Sequence, residues 1–203
     1  MKKLLILITT CFFFFISIQA QSSEVEASTQ LTKAEQFKTN NSFIKEELIY
    51  KDDIFSVKIK AKLFTDLKTG EQLAALEFSA STAVKVLSGG ADAPLGYIDM
   101  DQIDDLLLAL ETILETHNNS SKKDNYSISY TSNGGIDVTF MTNFPGQTAP
   151  ILLLRKKWHA IDDYGVLTAK YTESINIIPV SSLPKFISSI KEAQIIAQQS
   201  LNK

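Results

Sequence analysis

Several residue types on which protein chemistry depends are almost missing from this chain. Its 203 residues include one cysteine (Cys11), one arginine (Arg155), one tryptophan (Trp158) and two histidines (His117 and His159). So few thiols and imidazoles leave no ligand set for a transition metal, and neither a metal nor a cofactor is expected. One cysteine makes no intrachain disulfide. A lone arginine and a net charge of −3 do not supply the basic footprint of a duplex nucleic-acid binder, so no nucleic-acid partner is expected. Eight glycines and five prolines are too few for a low-complexity or collagen-like chain, and a hydrophobic share of 44% excludes wholesale disorder. What remains is enough sequence to bury one sizeable core or two small ones.

The N-terminus reads as a secretory signal. Lys2 and Lys3 form a charged start, Leu4 to Ile18 is an almost unbroken apolar run, and Ala20 offers a small residue at a cleavage point before Gln21. The apolar core falls short of the roughly 20 residues that span a bilayer, and the run Gln21 to Thr29 is polar. No stable membrane span is therefore expected once residues 1–20 are removed. Acylation at Cys11 is the rival reading, but Phe12 to Phe15 carry the apolar core past the cysteine, where a lipoprotein signal would end. The expected location is the periplasm or the extracellular medium. A mature chain beginning at Gln21 carries no cysteine and must draw its stability from its own core.

Residues 21–42 are polar and read as a flexible segment, with one helical turn around Leu31, Ala34 and Phe37. Beyond them the pattern becomes regular. Phe55, Val57, Ile59, Ala61 and Leu63 alternate with Ser56, Lys58, Lys60 and Lys62, the period of a strand with one wet face. Leu73 to Ser79 and Thr82 to Leu87 read as further strands. Ile103, Leu106, Leu107, Leu110, Ile113 and Leu114 then form a helical apolar stripe, with Asp101 expected as its N-cap. The second half repeats the order. Tyr126, Ile128 and Tyr130 alternate, Asn133-Gly134-Gly135 makes a hairpin turn, and Ile136, Val138 and Phe140 return. Strands are expected at Ile151–Leu154, Val166–Tyr171 and Ser174–Ile178, and a last helix carries Leu183, Phe186, Ile187, Ile190, Ala193 and Ala197. The fold class is therefore α+β. Two tandem units, about 43–118 and 123–203, each hold antiparallel strands followed by one amphipathic helix, with a pseudo-twofold relation between them or one domain formed by both. Each helix is the available cover for the sheet of its own unit.

Three sites compete for a chemical role. The run Asp99-Met100-Asp101-Gln102-Ile103-Asp104-Asp105 resembles a calcium loop only superficially, since the positions that need an oxygen ligand, glycine and glutamate hold Ile103, Asp104 and Leu110. These acids read better as the start of a helix. The segment Arg155-Lys156-Lys157-Trp158-His159 is the only basic cluster beside an aromatic, and Arg155, Lys157, Trp158 and His159 are the candidate ligand-binding residues. Against that stands a strand end with solvated basic side chains. His159 with Asp162 and Asp163 has the residue types of a base and its orienting carboxylate, yet no serine stands in a nucleophile-elbow context. The loop Phe144 to Pro150 is rich in turn formers and is a candidate contact surface.

The segment Gly96-Tyr97-Ile98-Asp99-Met100-Asp101-Gln102-Ile103-Asp104, followed by the aromatic hairpin of Tyr126 to Phe140, resembles an uncharacterised family of small exported bacterial proteins. The resemblance covers most of residues 43–200 and implies a cell-envelope or secreted setting with no catalytic residues to carry over. Gln102 departs from it, standing where an acidic residue is expected. The function expected from all this is a non-enzymatic binding or interaction module, with no catalytic residues. Its partner would be an envelope or extracellular protein or a small ligand. The alternatives are a hydrolase of envelope or extracellular polymers using paired carboxylates such as Asp99, Asp101, Asp162 and Asp163, and an inhibitor acting through the Phe144 to Pro150 loop.

Overall fold

A computed structural model of the chain describes residues 30–80, 93–120, 125–143, 149–161, 167–171 and 176–203. The signal segment, Cys11, the strand expected at Thr82–Leu87, most of the Phe144–Pro150 loop and the Asp162–Asp163 pair lie outside these residues. The fold is α+β. Strands β1 (Ile44–Ile54), β2 (Val57–Asp66), β3 (Gln72–Ala80) and β4 (Ala93–Asp99) form an antiparallel meander in chain order. A short helix, α1 (Lys33–Asn40), precedes it, and a 3-10 turn at Met100–Gln102 leads from β4 into α2 (Ile103–Asn119). The second sheet holds β5 (Ser127–Thr131), β6 (Ile136–Met141) and the long β7 (Ile151–Ile161). Strand β7 pairs through its first half with β9 (Asn176–Pro179) and through its second with β8 (Leu167–Tyr171). A second 3-10 turn, Val180–Ser182, opens α3 (Leu183–Leu201).

The alternation in β2 does what its spacing implies: Val57, Ile59, Ala61 and Leu63 are buried against the core, and Lys58, Lys60 and Lys62 lie on the opposite face. Phe55 does not belong to that row. It opens the two-residue turn between the paired Ile54 and Val57, at φ 56° and 69% exposed, while Ile54 takes the buried place. A bulge between Leu48 and Tyr50 resets the alternation of β1, which is why the inward row cannot be counted across the turn from the sequence. A left-handed φ on a non-glycine residue costs about 1–2 kcal/mol, and the turn is tied down by Ser56, whose hydroxyl donates to the Ile177 carbonyl at 3.0 Å.

The helices cross over. The apolar stripe of α3 lies on β1, β2 and β3, the sheet of the other half. Phe186 meets Phe78 of β3 edge to face at 6.1 Å, Ser189 donates to Asp52 of β1 at 2.6 Å, and the Tyr50 hydroxyl donates to Glu192 at 3.3 Å. Helix α2 in turn faces the second sheet: His117 packs edge-on against Phe140 at 5.6 Å, and Tyr130 reaches the Gln102 carbonyl at 3.5 Å. The expectation that each helix covers the sheet preceding it is thus corrected. The short 3-10 turns are the physical reason, because they leave a helix no slack to fold back over its own strands, whereas the neighbouring sheet is within direct reach. One cluster of buried side chains accordingly takes members from both sheets and both long helices, among them Ile59, Phe78, Leu110, Phe140, Phe186 and Ile190. Each large side chain so buried contributes on the order of 1.5–3 kcal/mol.

The outer face of the first sheet carries paired charge. Glu77 accepts from Lys60 at 2.8 Å and pairs with Lys62, which also pairs with Glu46. Burial alone would raise the Glu77 carboxyl, but the hydrogen bonds from Lys60 and Lys62 outweigh it and hold it below the usual glutamate range. A carboxyl depressed in the folded state stabilises the fold above the ordinary glutamate pKa of about 4.3 and loses that contribution as pH falls through its folded value. Glu77→Gln is therefore expected to lower stability at pH 7 and to flatten its decline below about pH 4.3, read from urea midpoints across pH; an unchanged acid limb would contradict this. A second test concerns the Asn133-Gly134-Gly135 turn. A Cβ on Gly134 would stand 2.3 Å from Thr32 Cγ2 and 3.0 Å from the Tyr97 carbonyl oxygen. Gly134→Ala should cost about 1–3 kcal/mol in the denaturant midpoint by overpacking, and a neutral result would mean that α1 is free to lift off the turn.

Candidate functional site

The basic segment Arg155 to His159 lies in β7, and the structure does not gather it into one cation cluster. Arg155 donates from Nη2 and Nε to Asp137 Oδ2 at 2.9 and 3.3 Å. The same carboxylate accepts the Thr131 hydroxyl at 3.0 Å and the Thr139 hydroxyl at 2.9 Å. Asp137 is 2% exposed, so the guanidinium neutralises a buried charge and anchors β7 to β6. Lys157 sits two positions on, on the same strand face, with its amide donating to the Gly135 carbonyl at 2.6 Å. Lys156 takes the other face and reaches Glu35 of α1 at 3.6 Å. Trp158 and His159 pair through their backbones with Lys170 and Ala169 of β8, and their side chains lie outside the described residues. Asp137 and Thr139 escape the sequence reading, because the alternation of Ile136, Val138 and Phe140 assigns them to solvent.

The acidic run is occupied by a different task. Asp99 accepts the Lys33 amide at 2.8 Å on one carboxylate oxygen and the Ala34 amide at 3.2 Å on the other. The Thr32 hydroxyl accepts the Glu35 amide, the Glu35 side chain returns to the Thr32 amide, and the Thr32 carbonyl accepts the Gln36 amide. All four amides that a helix leaves orphaned at its start are thus satisfied. Asp101 is not the N-cap of α2; it lies inside the 3-10 turn, and its carboxylate takes Lys33 Nζ at 2.7 Å. Residues 33–40, expected within a flexible polar segment, form a capped helix whose Ala34 and Phe37 pack against Phe64 and Ala75. The capping acid comes from some 65 residues further along, so no local pattern announces it.

A concavity among the described residues lies where the two long helices meet. They run antiparallel: near one end the Gln194 amide donates to Asp104 at 2.8 Å, and midway Lys191 pairs with Glu111 at 2.6 Å. Glu111 and Lys191 are 80 residues apart, the offset that separates the first residues of α2 and α3, Ile103 and Leu183. Under that offset the counterparts of Asp104 and Gln194 are Pro184 and Leu114. At one end a hydrogen bond closes the helix pair; at the other, Leu114 and Pro184 line a cleft of about 510 Å³. Pro150, Pro179 and Val180 extend its apolar wall, and His117, Asn118 and Ser181 supply polar groups. Ala149, at the end of the loop named from the sequence as a contact surface, stands at its rim. The volume falls within the range of clefts that hold small molecules in proteins generally. A smaller cleft of about 190 Å³ lies beside the Lys33–Asp101 pair.

The sequence matches no protein-family model and no curated protein. Among the described residues, no three histidine, cysteine, aspartate or glutamate side chains stand close enough to hold a metal, and no helix is long and apolar enough to cross a membrane.

Asp99→Ala removes the acceptor of two buried amides and should cost about 1–3 kcal/mol of stability, with faster hydrogen exchange at Lys33, Ala34 and their neighbours in α1. Unchanged exchange there would show that the carboxylate is not what holds the helix.

Proposed function

We propose that the protein is an exported, non-enzymatic binding module whose ligand occupies the cleft between the end of α2 and the start of α3. The observation that carries this reading is the contrast between the two ends of one antiparallel helix pair. Where Asp104 and Gln194 close the pair with a hydrogen bond, the positions related by the same offset hold Leu114 and Pro184 and leave a cavity. An unfilled apolar cleft forgoes burial that a better-packed interface would gain, so its retention favours an occupant. Export rests on the charged start, the apolar run and the small residue at Ala20.

A hydrolase built on Asp99 and Asp101 fits less well. Both oxygens of Asp99 are engaged by helix amides, and Asp101 is held by Lys33, whose hydrogen bond keeps the carboxyl below the usual aspartate range. A carboxyl held so low does not stand ready to take up a proton near neutral pH. Arg155, with its charge directed to Asp137, likewise serves the sheet better than an incoming anion.

A small-molecule screen against isotope-labelled protein should give hits whose amide shifts centre on Asn118, Ala149 and Ser181. Ala149→Trp, placed at an exposed rim position, should weaken those hits at least tenfold while the melting temperature stays near the parent's. Hits that map elsewhere, or that are indifferent to the substitution, would remove the cleft as the binding site.

A further inference from the structure

We propose that Asn133-Gly134 is a self-modification site, at which the side-chain amide of Asn133 cyclises onto the main chain and is lost as ammonia, and that the docking of α1 holds this reaction back. The proposal is independent of the cleft. Asn133-Gly134 is the one asparagine–glycine step in the chain, and Asn133 is exposed to water at a hairpin tip. Glycine is the residue that most favours this cyclisation, because it puts no side chain beside the attacking nitrogen and leaves its backbone free to turn.

The structure explains both the glycine and the restraint. The Gly135 amide donates to the Ser132 carbonyl at 2.9 Å and closes a turn with Asn133 and Gly134 at its centre. Gly135 takes the left-handed φ of 79° that ends such a turn, whereas Gly134 has no left-handed φ. Gly134 is there for space: a Cβ on it would collide with the Thr32 methyl and stand 3.0 Å from the Tyr97 carbonyl oxygen. The seat of α1 thus demands the residue that makes Asn133 reactive. The same seat pins Gly134 between Thr32 and Tyr97, while cyclisation needs a large rotation of the 133–134 peptide to bring the Gly134 nitrogen onto Cγ of Asn133. That rotation requires α1 to lift.

The chemistry needs only water and base. Base takes the Gly134 amide proton, the nitrogen bonds to Cγ of Asn133, and the bond from Cγ to the side-chain nitrogen breaks as ammonia leaves with a proton returned from solvent. Water then opens the five-membered imide at one carbonyl or the other, giving aspartate or isoaspartate. Isoaspartate routes the main chain through the side chain and adds one carbon to the turn, so Gly134 no longer meets Thr32 in register and α1 does not reseat. The fastenings that decide how often α1 lifts are the two amides held by Asp99 and the Lys156–Glu35 pair at 3.6 Å. An eight-residue helix so held opens locally more often than the whole fold does.

The test is to hold the protein and its variants in mildly alkaline buffer and to follow aspartate and isoaspartate at position 133 by peptide mass spectrometry, with the urea-unfolded chain as reference. The parent is expected to react at least about tenfold more slowly than the unfolded chain. Thr32→Ser keeps the capping hydroxyl and removes the methyl over Gly134, and should react several-fold faster than the parent. Asp99→Ala frees the two amides of α1 and should react at least about fivefold faster. Ile190→Val weakens the core under α3, away from α1, and should leave the rate within about twofold of the parent's. A parent as fast as the unfolded chain, or Thr32→Ser and Asp99→Ala both as slow as the parent, would overturn the restraint by α1. Equal acceleration in Ile190→Val would assign the opening to the whole fold and overturn it too. An unfolded chain that forms neither product would remove the site. Should Asp99→Ala not fold, Thr32→Ser against Ile190→Val decides.

Discussion

The contact between the apolar stripe of α3 and strands β1 to β3 is the one on which the rest of the structure depends. It takes the last 19-residue helix of the chain across to the first sheet and seats Phe186 on Phe78. Neither half of the chain then covers its own strands. The second sheet is left to α2, and the two helices must lie side by side and antiparallel to do both jobs. Almost the whole apolar interior becomes one body, with the small cluster under α1 set apart on the outer face of the first sheet. An exchange of this kind makes stability cooperative, since removing either helix uncovers a sheet that its own half cannot shield.

The offset of 80 residues between the helices gives the arrangement its internal comparison. Glu111 and Lys191 are each other's counterparts under that offset, and they meet directly in the middle of the pair. Away from that point the two ends need not be alike, and the side chains make them differ. One end is polar and closed, and the other apolar and open.

The regular elements were legible because each has one buried face. The stripes of α2 and α3, the alternation of β2 and β6 and the Asn133-Gly134-Gly135 turn all carry their period in the sequence, and their places in the structure follow it. What failed was long-range. The period shows that α3 has an apolar face but not which sheet receives it. The cap of α1 comes from Asp99, and the partner of Arg155 comes from Asp137 on a neighbouring strand. Phe55 was misplaced for a more local reason: a turn residue with positive φ continues the alternation in letters while leaving the strand in space. The cleft was illegible for the long-range reason, since it is built from the ends of two helices and from Ala149 and Pro150, which are distant in the chain.

Polar groups hold the outer faces where no disulfide does. Asp137 with Arg155 locks β6 to β7, Glu77 with Lys60 and Lys62 locks β2 to β3, and Asp99 fixes α1 across the end of the first sheet. The exchange of helices remains the central claim, and native-state hydrogen exchange on a Phe186→Ala variant tests it most directly. The account predicts that protection falls first and furthest at β2 and β3, the strands beneath Phe186, although this residue follows the second sheet in the chain. Loss confined to β6 and β7, with β2 and β3 as protected as in the parent, would contradict it.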